Sequence, residues 1–226
     1  MGTDLVIVGA GGFARETVSA IEASGAASDH WNLMGFLDDD PALTGTIRAG
    51  YPIIGPLDQV HALDGVQFVV CLANSSRPDI RRRIVARLGL PAERYATVVH
   101  PAAQVGVGCT IGAGTVLLAG TVLTADVTVG AHVAVMPHTV LTHDDVVEDY
   151  ATIAAGVRLG GGARIGTTAY LGSGALIRES VTIGAGALIG MGAVVLADVP
   201  PDQVWVGNPA RHLRTLRPAL LGGPRT

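Results

Sequence analysis

Lysine is absent from this chain of 226 residues, and all 15 of its basic residues are arginine. With 19 acidic residues the formal net charge is −4, which argues against a protein that binds nucleic acid through a basic surface. No apolar stretch approaches the ~20 residues that a membrane-spanning helix needs. The apolar run Leu5–Ala10 is too short for a signal peptide and lacks a basic flank. We therefore expect a cytoplasmic protein that binds neither nucleic acid nor membranes.

Aromatic residues and cysteines are also scarce. Aromatics make up 4% of the chain, and the two cysteines, Cys71 and Cys109, both lie in apolar patterns. We expect two small buried residues rather than a disulfide. The chain has instead 31 glycines, with 49% hydrophobic against 15% charged residues. This composition excludes a disordered chain and favours a fold with many tight corners and little room for large rings.

Aliphatic residues recur at intervals of six, without interruption, from Val99 to Val195. This period fits neither the 3.6-residue turn of a helix nor the two-residue alternation of a plain strand. It is the period of a hexapeptide β-helix, in which each short strand forms one side of a coil and its aliphatic residue points to the axis. The series is Val99, Val105, Ile111, Leu117, Leu123, Val129, Val135, Leu141, Val147, Ile153, Leu159, Ile165, Leu171, Ile177, Ile183, Ile189 and Val195.

One residue breaks a second column of the repeat. Three hexapeptides make one coil, so the segment Val98–Val199 predicts between five and six coils. The residues four places after the aliphatic ones are small, and we expect them just inside each corner. Asp145 is the one charged member of that column. Because a buried unpaired carboxylate costs several kcal/mol, we expect Asp145 to pair with His143 or with a neighbouring subunit.

The first part of the chain alternates strand and helix patterns, which predicts a small parallel sheet covered by helices. We predict strands at Asp4–Ala10, Leu33–Asp40 and Gln67–Ala73, a helix that ends at Gly25, and a helix over Pro78–Leu90. The second helix should carry an arginine-rich outer face of Arg81, Arg82, Arg83 and Arg87. The sequence therefore predicts a Rossmann-like domain over residues 1–97 and a β-helix domain over residues 98–226. In the latter, Val204–Arg214 should form a strand and a short helix that cap the solenoid.

Three sequence features together resemble one family. They are the unbroken hexad, the turn Gly9–Glu16 (GAGGFARE) and the tail Gly207–Arg211 (GNPAR). The chain resembles the left-handed β-helix sugar acyltransferases, which N-acetylate nucleotide-linked amino sugars or O-acetylate sialic acid. The resemblance implies a homotrimer with acetyl-CoA in the groove between neighbouring solenoids. It also implies that the N-terminal domain binds a nucleotide sugar.

His143 is the candidate general base. It stands at a corner position and is followed by the acids Asp144 and Asp145. A neutral imidazole beside a carboxylate is a good base near neutral pH, because the carboxylate fixes the tautomer and stabilises the imidazolium. The resemblance implies that His143 deprotonates the attacking group and that Asp144 orients it. Neither cysteine is near this motif in sequence, so we do not expect a cysteine nucleophile.

A glycine triplet lies one coil beyond His143. Addition of 18 residues leads to Gly161, at the centre of Gly160–Gly162. Without Cβ atoms, backbone N–H groups can approach a ligand closely and stabilise a developing oxyanion. The resemblance places the acetyl carbonyl against the Gly161 amide, with Gly162 beside it. The candidates for the phosphates of CoA are Arg158, Arg164, Arg178, Arg211 and Arg214, of which we favour Arg164 and Arg211.

The turn after the first strand resembles a phosphate-binding strand-to-helix turn, with amides that would suit a diphosphate. Its candidate substrate-binding residues are Gly9, Gly11, Gly12, Phe13 and Arg15. We expect three further substrate-binding residues, Asp38, Asn74 and Arg77, after the second and third strands, because carboxyl ends of parallel strands meet at one edge.

The chain departs from the family at several positions. In the first turn, Phe13 and Arg15 stand where the family commonly has His and Lys. Seven residues before the candidate base, Met136 replaces a common Asn, and nine residues after it, Thr152 replaces a second His. These departures bear on the identity of the acceptor and on contacts with the acyl donor.

We predict an acetyl-CoA-dependent enzyme that N-acetylates a nucleotide-linked amino sugar. The first alternative is O-acetylation of a sialic acid or another hydroxyl acceptor. The second is a non-catalytic scaffold or a carbonic-anhydrase-like metal protein, for which His132, His138 and His143 would be the ligands. Since these three histidines are not one coil apart, they should not stack on one face, and we expect no metal.

Overall fold

The computed structural model describes residues 2–24 and 31–216. Its N-terminal part holds a five-stranded sheet in the order β3-β4-β2-β1-β5. The strands are β1 (Thr3–Val8), β2 (Trp31–Leu37), β3 (Ile47–Arg48), β4 (Tyr51–Gly55) and β5 (Gln67–Val70). All neighbours pair in parallel except the short edge pair β3 and β4. The predicted parallel sheet is therefore present, with an antiparallel edge added to it.

Two α-helices lie on opposite sides of this sheet. They are α1 (Gly12–Ala23) and α2 (Ile80–Leu88), and the 3₁₀ segments are Leu57–Ala62 and Ala92–Arg94. Residues of β1 alternate between the two sides: Leu5 and Ile7 share a core with α1, while Val6 and Val8 share one with α2. The predicted end of the first helix at Gly25 lies outside the described residues. The second helix is two residues shorter at each end than predicted.

The solenoid consists of two-residue strands that wind around three flat faces. The first face holds β7 (Gln104–Val105), β10 (Val122–Leu123), β13 (Val140–Leu141), β16 (Arg158–Leu159), β19 (Leu176–Ile177) and β22 (Val194–Val195). The second holds β8 (Thr110–Ile111), β11 (Thr128–Val129), β14 (Val146–Val147), β17 (Arg164–Ile165) and β20 (Thr182–Ile183). The third holds β6 (Val98–Val99), β9 (Val116–Leu117), β12 (Ala134–Val135), β15 (Thr152–Ile153), β18 (Tyr170–Leu171) and β21 (Leu188–Ile189).

The inward column is the one that the hexad predicts. From Leu117 to Val195 each of its residues is buried in one continuous core. Val99 and Val105 belong to the same column but remain partly exposed, because they lie in the first coil, at the open end of the solenoid. The period of six therefore identified the inward positions along the whole solenoid.

The C-terminal cap differs from the prediction. It is a pair of antiparallel strands, β23 (Gln203–Val206) and β24 (Arg211–Thr215), and the predicted short helix is wrong. β23 continues the third face because it pairs with β21, and β24 then adds one more strand. Pairing with β23 satisfies the backbone groups of β24, so that segment is extended rather than helical.

The two parts of the chain share a core. The outward residues Val98, Val116 and Ala134 on the third face are buried together with Phe13 and Val18 of α1. The first and second faces instead leave many of their outward residues exposed, as at Arg158 and Arg164. Among the described residues, the N-terminal part therefore packs on the third face of the solenoid, at its first three coils.

Arg81 corrects the prediction of an arginine-rich outer face on α2. Its side chain is 1% exposed, and its guanidinium donates hydrogen bonds to four backbone carbonyls and one hydroxyl. The acceptors are the carbonyls of Leu72, His132, Tyr150 and Ala151 and the Oγ1 of Thr152. Burial lowers the pKa of Arg81 to about 10, so it stays charged at neutral pH. It joins α2 to two successive coils.

In the described part of the chain, neither helix has the length and hydrophobicity needed to cross a bilayer.

Candidate active site

His143 stands at the corner between the first and second faces, on the turn that links β13 to β14. Its side chain is 69% exposed. The Nδ1–H donates to Oδ2 of Asp144 at 2.8 Å, since a carboxylate can only accept. Asp144 has a φ of 62°, which turns the chain sharply and lets its carboxylate reach the neighbouring ring. This tautomer leaves the lone pair of Nε2 free to accept a proton.

The carboxylate of Asp144 also tunes the basicity of this histidine. The hydrogen bond to Asp144 raises the pKa of His143, and the charge of Asp144 raises it further. An imidazole with a raised pKa holds a proton more firmly once it has taken one. The pair therefore has the composition and the tautomer that general-base catalysis requires.

Gly161 lies directly against the imidazole. A Cβ on Gly161 would collide with the ring of His143, so the ring can occupy this position only because residue 161 is glycine. The amide of the next residue, Gly162, donates to the His143 carbonyl at 2.9 Å. In the described part of the chain the Gly161 amide itself has no acceptor. The structure thus brings together the three residues that the sequence predicted to act together.

Positions 160 and 162 of the triplet favour glycine for different reasons. A Cβ on Gly160 would come within 2.6 Å of the Glu179 amide nitrogen on the following coil. Gly162 has a φ of 72°, in the left-handed region. Glycine is therefore favoured at position 162 by the positive φ of the corner. At position 161 it is required because any side chain would collide with the His143 ring.

Asp145 is fully buried and has two partners of its own chain. Its Oδ2 accepts from the amide of Thr142 at 2.7 Å, and its Oδ1 accepts from the amide of Ala163 at 2.8 Å. The expectation that it pairs with the His143 ring is wrong, because that ring bonds to Asp144. Burial raises the pKa of Asp145 to about 6, against the opposing effect of the two amide bonds.

The arginines considered for the phosphates of CoA fall into two groups, one near the His143 corner and one at the end of the third face. Arg158 and Arg164 lie on the strands before and after the Gly160–Gly162 corner, and Arg178 follows at the same corner one coil later. All three are exposed. Arg211, which we favoured from the sequence, lies with Arg214 on β24 at the end of the third face, away from the His143 corner.

The N-terminal candidates meet at the carboxyl edge of the sheet. Gly9 has a φ of 96°, and the adjacent Ala10 amide donates to Oδ2 of Asp38 at 2.9 Å. No carboxylate or hydroxyl caps the N-terminus of α1, and a Cβ at Gly11 or Gly12 would meet open space. Open amides at a helix N-terminus suit a diphosphate.

Other candidates at this edge have different surroundings. The ring of Phe13 is buried in the core, so its side chain packs instead of facing a ligand. Arg15, Asn74 and Arg77 are exposed, and Asn74 Oδ1 accepts from the Ser76 amide within its own turn. Arg15 and Arg77 therefore remain the exposed basic candidates at this edge.

The two departures from the family pattern lie on or beside the third face. Thr152 is buried and accepts from Arg81 through its hydroxyl, and Met136 packs against the shared core. Arg81 was predicted from the sequence to lie on the outer face of α2, and its burial was missed. It stands three, four and seven residues before Ile84, Val85 and Leu88, which is the spacing of a buried helix face, and that spacing could have found it.

The three histidines considered as metal ligands lie at three different corners of the solenoid. His132 is buried between Tyr95 and Tyr150, and burial lowers its pKa to about 4. His138 stands at the next corner and His143 at the third. Over residues 2–24 and 31–216, no group of three or more His, Cys, Asp or Glu side chains is arranged to hold a metal ion.

The two cysteines are free. Cys71 is buried, as predicted, and burial raises the pKa of its thiol to about 12. A thiol that stays protonated is a poor nucleophile. Cys109 is only partly buried, because it lies in the first coil.

Comparison with known proteins identifies the class. Residues 4–88 match the family model of the PglD N-terminal domain. The acetyltransferase domain of PglB from Neisseria gonorrhoeae FA1090 is 30% identical, with a TM-score of 0.82 over 94% of this chain and 100% of that one. WeeI from Acinetobacter baumannii AYE is also 30% identical, with a TM-score of 0.79 over 93% and 100%. No curated protein sequence matches the chain significantly.

A third solved structure is PerB from Caulobacter crescentus in complex with CoA and GDP-perosamine, which is 27% identical. Its TM-score is 0.79, with coverage of 93% of this chain and 97% of that one. The comparisons confirm the predicted fold, an α/β domain followed by a left-handed parallel β-helix. The chain belongs to the hexapeptide-repeat sugar acyltransferases. It is accordingly an enzyme, an acyl-CoA-dependent acetyltransferase.

Proposed function

We propose that this enzyme transfers the acetyl group of acetyl-CoA to the amine of a nucleotide-linked amino sugar, with His143 as the general base. The observation that carries the proposal is the contact of the His143–Asp144 pair with Gly161, whose amide has no acceptor among the described residues. Two relatives support the substrates. The PglB domain was solved with acetyl coenzyme A, and PerB with CoA and GDP-perosamine.

The reaction needs one base and one oxyanion donor at this corner. The amine attacks the thioester carbonyl carbon while Nε2 of His143 takes its proton. The carbonyl oxygen becomes negative and accepts a hydrogen bond from the Gly161 amide. The C–S bond then breaks, and the CoA thiolate leaves with the proton that His143 returns. Asp144 stabilises the imidazolium between the two proton transfers.

Exposed cations along the same edge suit the phosphates of the donor. Arg158, Arg164 and Arg178 lie on the coils beyond His143, and guanidinium groups bind phosphates through paired hydrogen bonds. We propose that these three hold CoA, with Gly162 beside its thioester. Arg211 is less suited to that role because of its place on the third face.

The carboxyl edge of the N-terminal sheet supplies the acceptor site. We propose that the α1 N-terminus, with Gly9, Gly11 and Gly12, binds the diphosphate, and that Arg15 and Arg77 add positive charge. The backbone of Phe13 belongs to this turn, although its ring does not face the ligand. Asp38 and Asn74 shape the loops, since both accept amide hydrogen bonds there.

We further propose that the enzyme acts as a homotrimer in the cytoplasm. The N-terminal part covers the third face, whereas His143 stands at the corner between the other two faces. A sugar held by one chain would then be presented to the His143 of a neighbouring chain. The exposed outward residues of the first face, such as Leu176, would be covered by that neighbour.

A substrate panel tests this function. Purified enzyme is given acetyl-CoA and nucleotide sugars that carry either an amine or only hydroxyls, together with free sialic acid, and CoA release is followed. We expect turnover with an amino sugar and none with the matched hydroxyl sugar. Turnover of sialic acid or a hydroxyl sugar alone would replace N-acetylation by O-acetylation. No turnover of any acceptor, with no thermal shift by CoA, would contradict the proposal.

A further inference from the structure

Along the first face, the backbone amides that follow the strands donate to the next coil from Gly106 to Arg178, with one exception. In the first face, the residue after each strand donates its amide to the coil above, as Thr124 does to Leu141 O at 3.0 Å and Gly160 to Ile177 O at 2.9 Å. Thr142 should donate to Leu159 O by the same rule. Its amide donates to Oδ2 of Asp145 instead, at 2.7 Å. Among the described coils, the corner that bears His143 is the one where this bond is diverted.

The Leu159 carbonyl, which loses the Thr142 amide as a donor, accepts a hydrogen bond from the Thr142 side chain instead. The Thr142 hydroxyl donates to Leu159 O at 2.9 Å, so no backbone acceptor is left bare. The ladder between β13 and β16 is accordingly reduced to the pair Val140 and Arg158. The Thr142 amide lies directly before His143 in the chain, so its bond to Asp145 holds the backbone at the entry to the corner.

The second carboxylate oxygen holds the opposite side of the site. Oδ1 of Asp145 accepts from Ala163, the residue directly after the glycine triplet. A hydroxyl makes this same kind of bond elsewhere, where Thr115 Oγ1 accepts from the Val133 amide one coil on. A hydroxyl at position 145 could therefore replace one of the two bonds, but only a carboxylate accepts both amides in this geometry.

We propose that Asp145 is a positioning residue, which fixes the corner of His143 against Gly161 by binding the amides of Thr142 and Ala163 together. It touches neither donor nor acceptor. The inference rests on the proposed function, because it assigns Asp145 to the acyl-transfer site. It explains why a charge occupies a column that otherwise holds small uncharged residues.

Burial of the Asp145 carboxylate makes the stability of the fold depend on pH, and this dependence can be measured independently of activity. Burial raises the pKa of Asp145 to about 6 from 3.8, with Asp144 adding to the rise and His143 opposing it. A raised acid pKa means that stability is lost as pH rises through about 6, when the buried group ionises. Removal of Asp145 should therefore favour the fold more at pH 8 than at pH 5.

The test compares Asp145→Ala, Asp145→Thr and a matched control, Asp198→Ala. Asp198 is an exposed carboxylate that also accepts an amide, from Thr182, in the last coil. We expect Asp145→Ala to lower kcat about 100-fold, the effect of a displacement near 1 Å, with both KM values nearly unchanged. Asp145→Thr should recover part of that loss, and the control should match the wild type. The change in Tm caused by Asp145→Ala should be more favourable at pH 8 than at pH 5.

A crystal structure of Asp145→Ala supplies a readout that does not need turnover. We expect the Thr142 amide to bond to Leu159 O and the imidazole to leave its contact with Gly161. An unmoved imidazole, a wild-type kcat, or a loss of kcat matched by a lower Tm at every pH would overturn the proposal. If the wild type acetylates no acceptor, the proposed function fails, and the position of the imidazole still decides whether Asp145 sets it.

Discussion

At the scale of single residues, the site is a pairing of two corner positions one coil apart. His143 obtains its tautomer from Asp144 and its place from the missing Cβ of Gly161. The repeat period let the sequence predict that 143 and 161 meet, because a coil of 18 residues superimposes them. The partners of Asp145 could not be predicted from the sequence, because both are backbone amides. The hexad pattern is the same whether the Thr142 amide donates to a backbone carbonyl or to a side chain.

The Asp144→Asn variant tests the tuning of the base. Asparagine tolerates the positive φ of residue 144, so the corner should keep its shape. Loss of the carboxylate removes the main cause of the raised pKa of His143, which should fall towards 6.5. Since the base acts when neutral, the acidic limb of the kcat/KM profile should move to lower pH, and the plateau should fall.

Measurement of both enzymes with the same acceptor cancels the ionisation of the amine itself. An acidic limb at the same pH in both enzymes would show that His143 does not set it.

The Gly161→Ala variant tests the contact with the ring. The added methyl group would displace the imidazole, and we expect kcat to fall about 100-fold with little change in the KM for acetyl-CoA. The matched control is the same substitution in a His143→Ala background, where the ring is absent. There it should cost much less, which a double-mutant cycle of kcat values measures. Equal costs in the two backgrounds would contradict the contact as the cause.

At the scale of elements, the hexad predicted the solenoid strands because each inward aliphatic position is repeated in a single environment. The cap was predicted less well, since Arg211–Thr215 lies beyond the repeat and its strand conformation depends on pairing with β23. Helix α2 was located, but its outer face was misjudged at Arg81. A charged side chain is ordinarily exposed, and Arg81 is an exception because five acceptors surround it, four of them more than 50 residues away in sequence.

The Arg81→Met variant tests the link between α2 and the solenoid. Methionine would remove the guanidinium donor from the carbonyls of Leu72, His132 and Tyr150, whereas the Ala151 carbonyl would keep its hydrogen bond from the Ala134 amide. We expect a loss of about 3 kcal/mol or more in the free energy of unfolding, measured by denaturant titration. Arg83→Met, on the exposed side of the same helix, is the control and should change stability little. Similar values for the two variants would show that the buried hydrogen bonds contribute nothing.

At the scale of the whole molecule, we propose that the two parts of the chain divide the reaction between them. Helix α1 packs on the third face of the solenoid, and the His143 corner lies between the other two faces. This arrangement follows from the shared core, which the sequence could not reveal because outward residues of the third face, such as Val116 and Ala134, look like ordinary strand residues. The acetyl donor is then expected between neighbouring chains.

A crystal structure of the enzyme with acetyl-CoA measures the central claim most directly. We predict the acetyl carbonyl oxygen at about 3 Å from the Gly161 amide, with its carbon facing Nε2 of His143 and the donor lying between two chains. Acetyl-CoA bound at another corner, or with its carbonyl turned away from Gly161, would contradict the account.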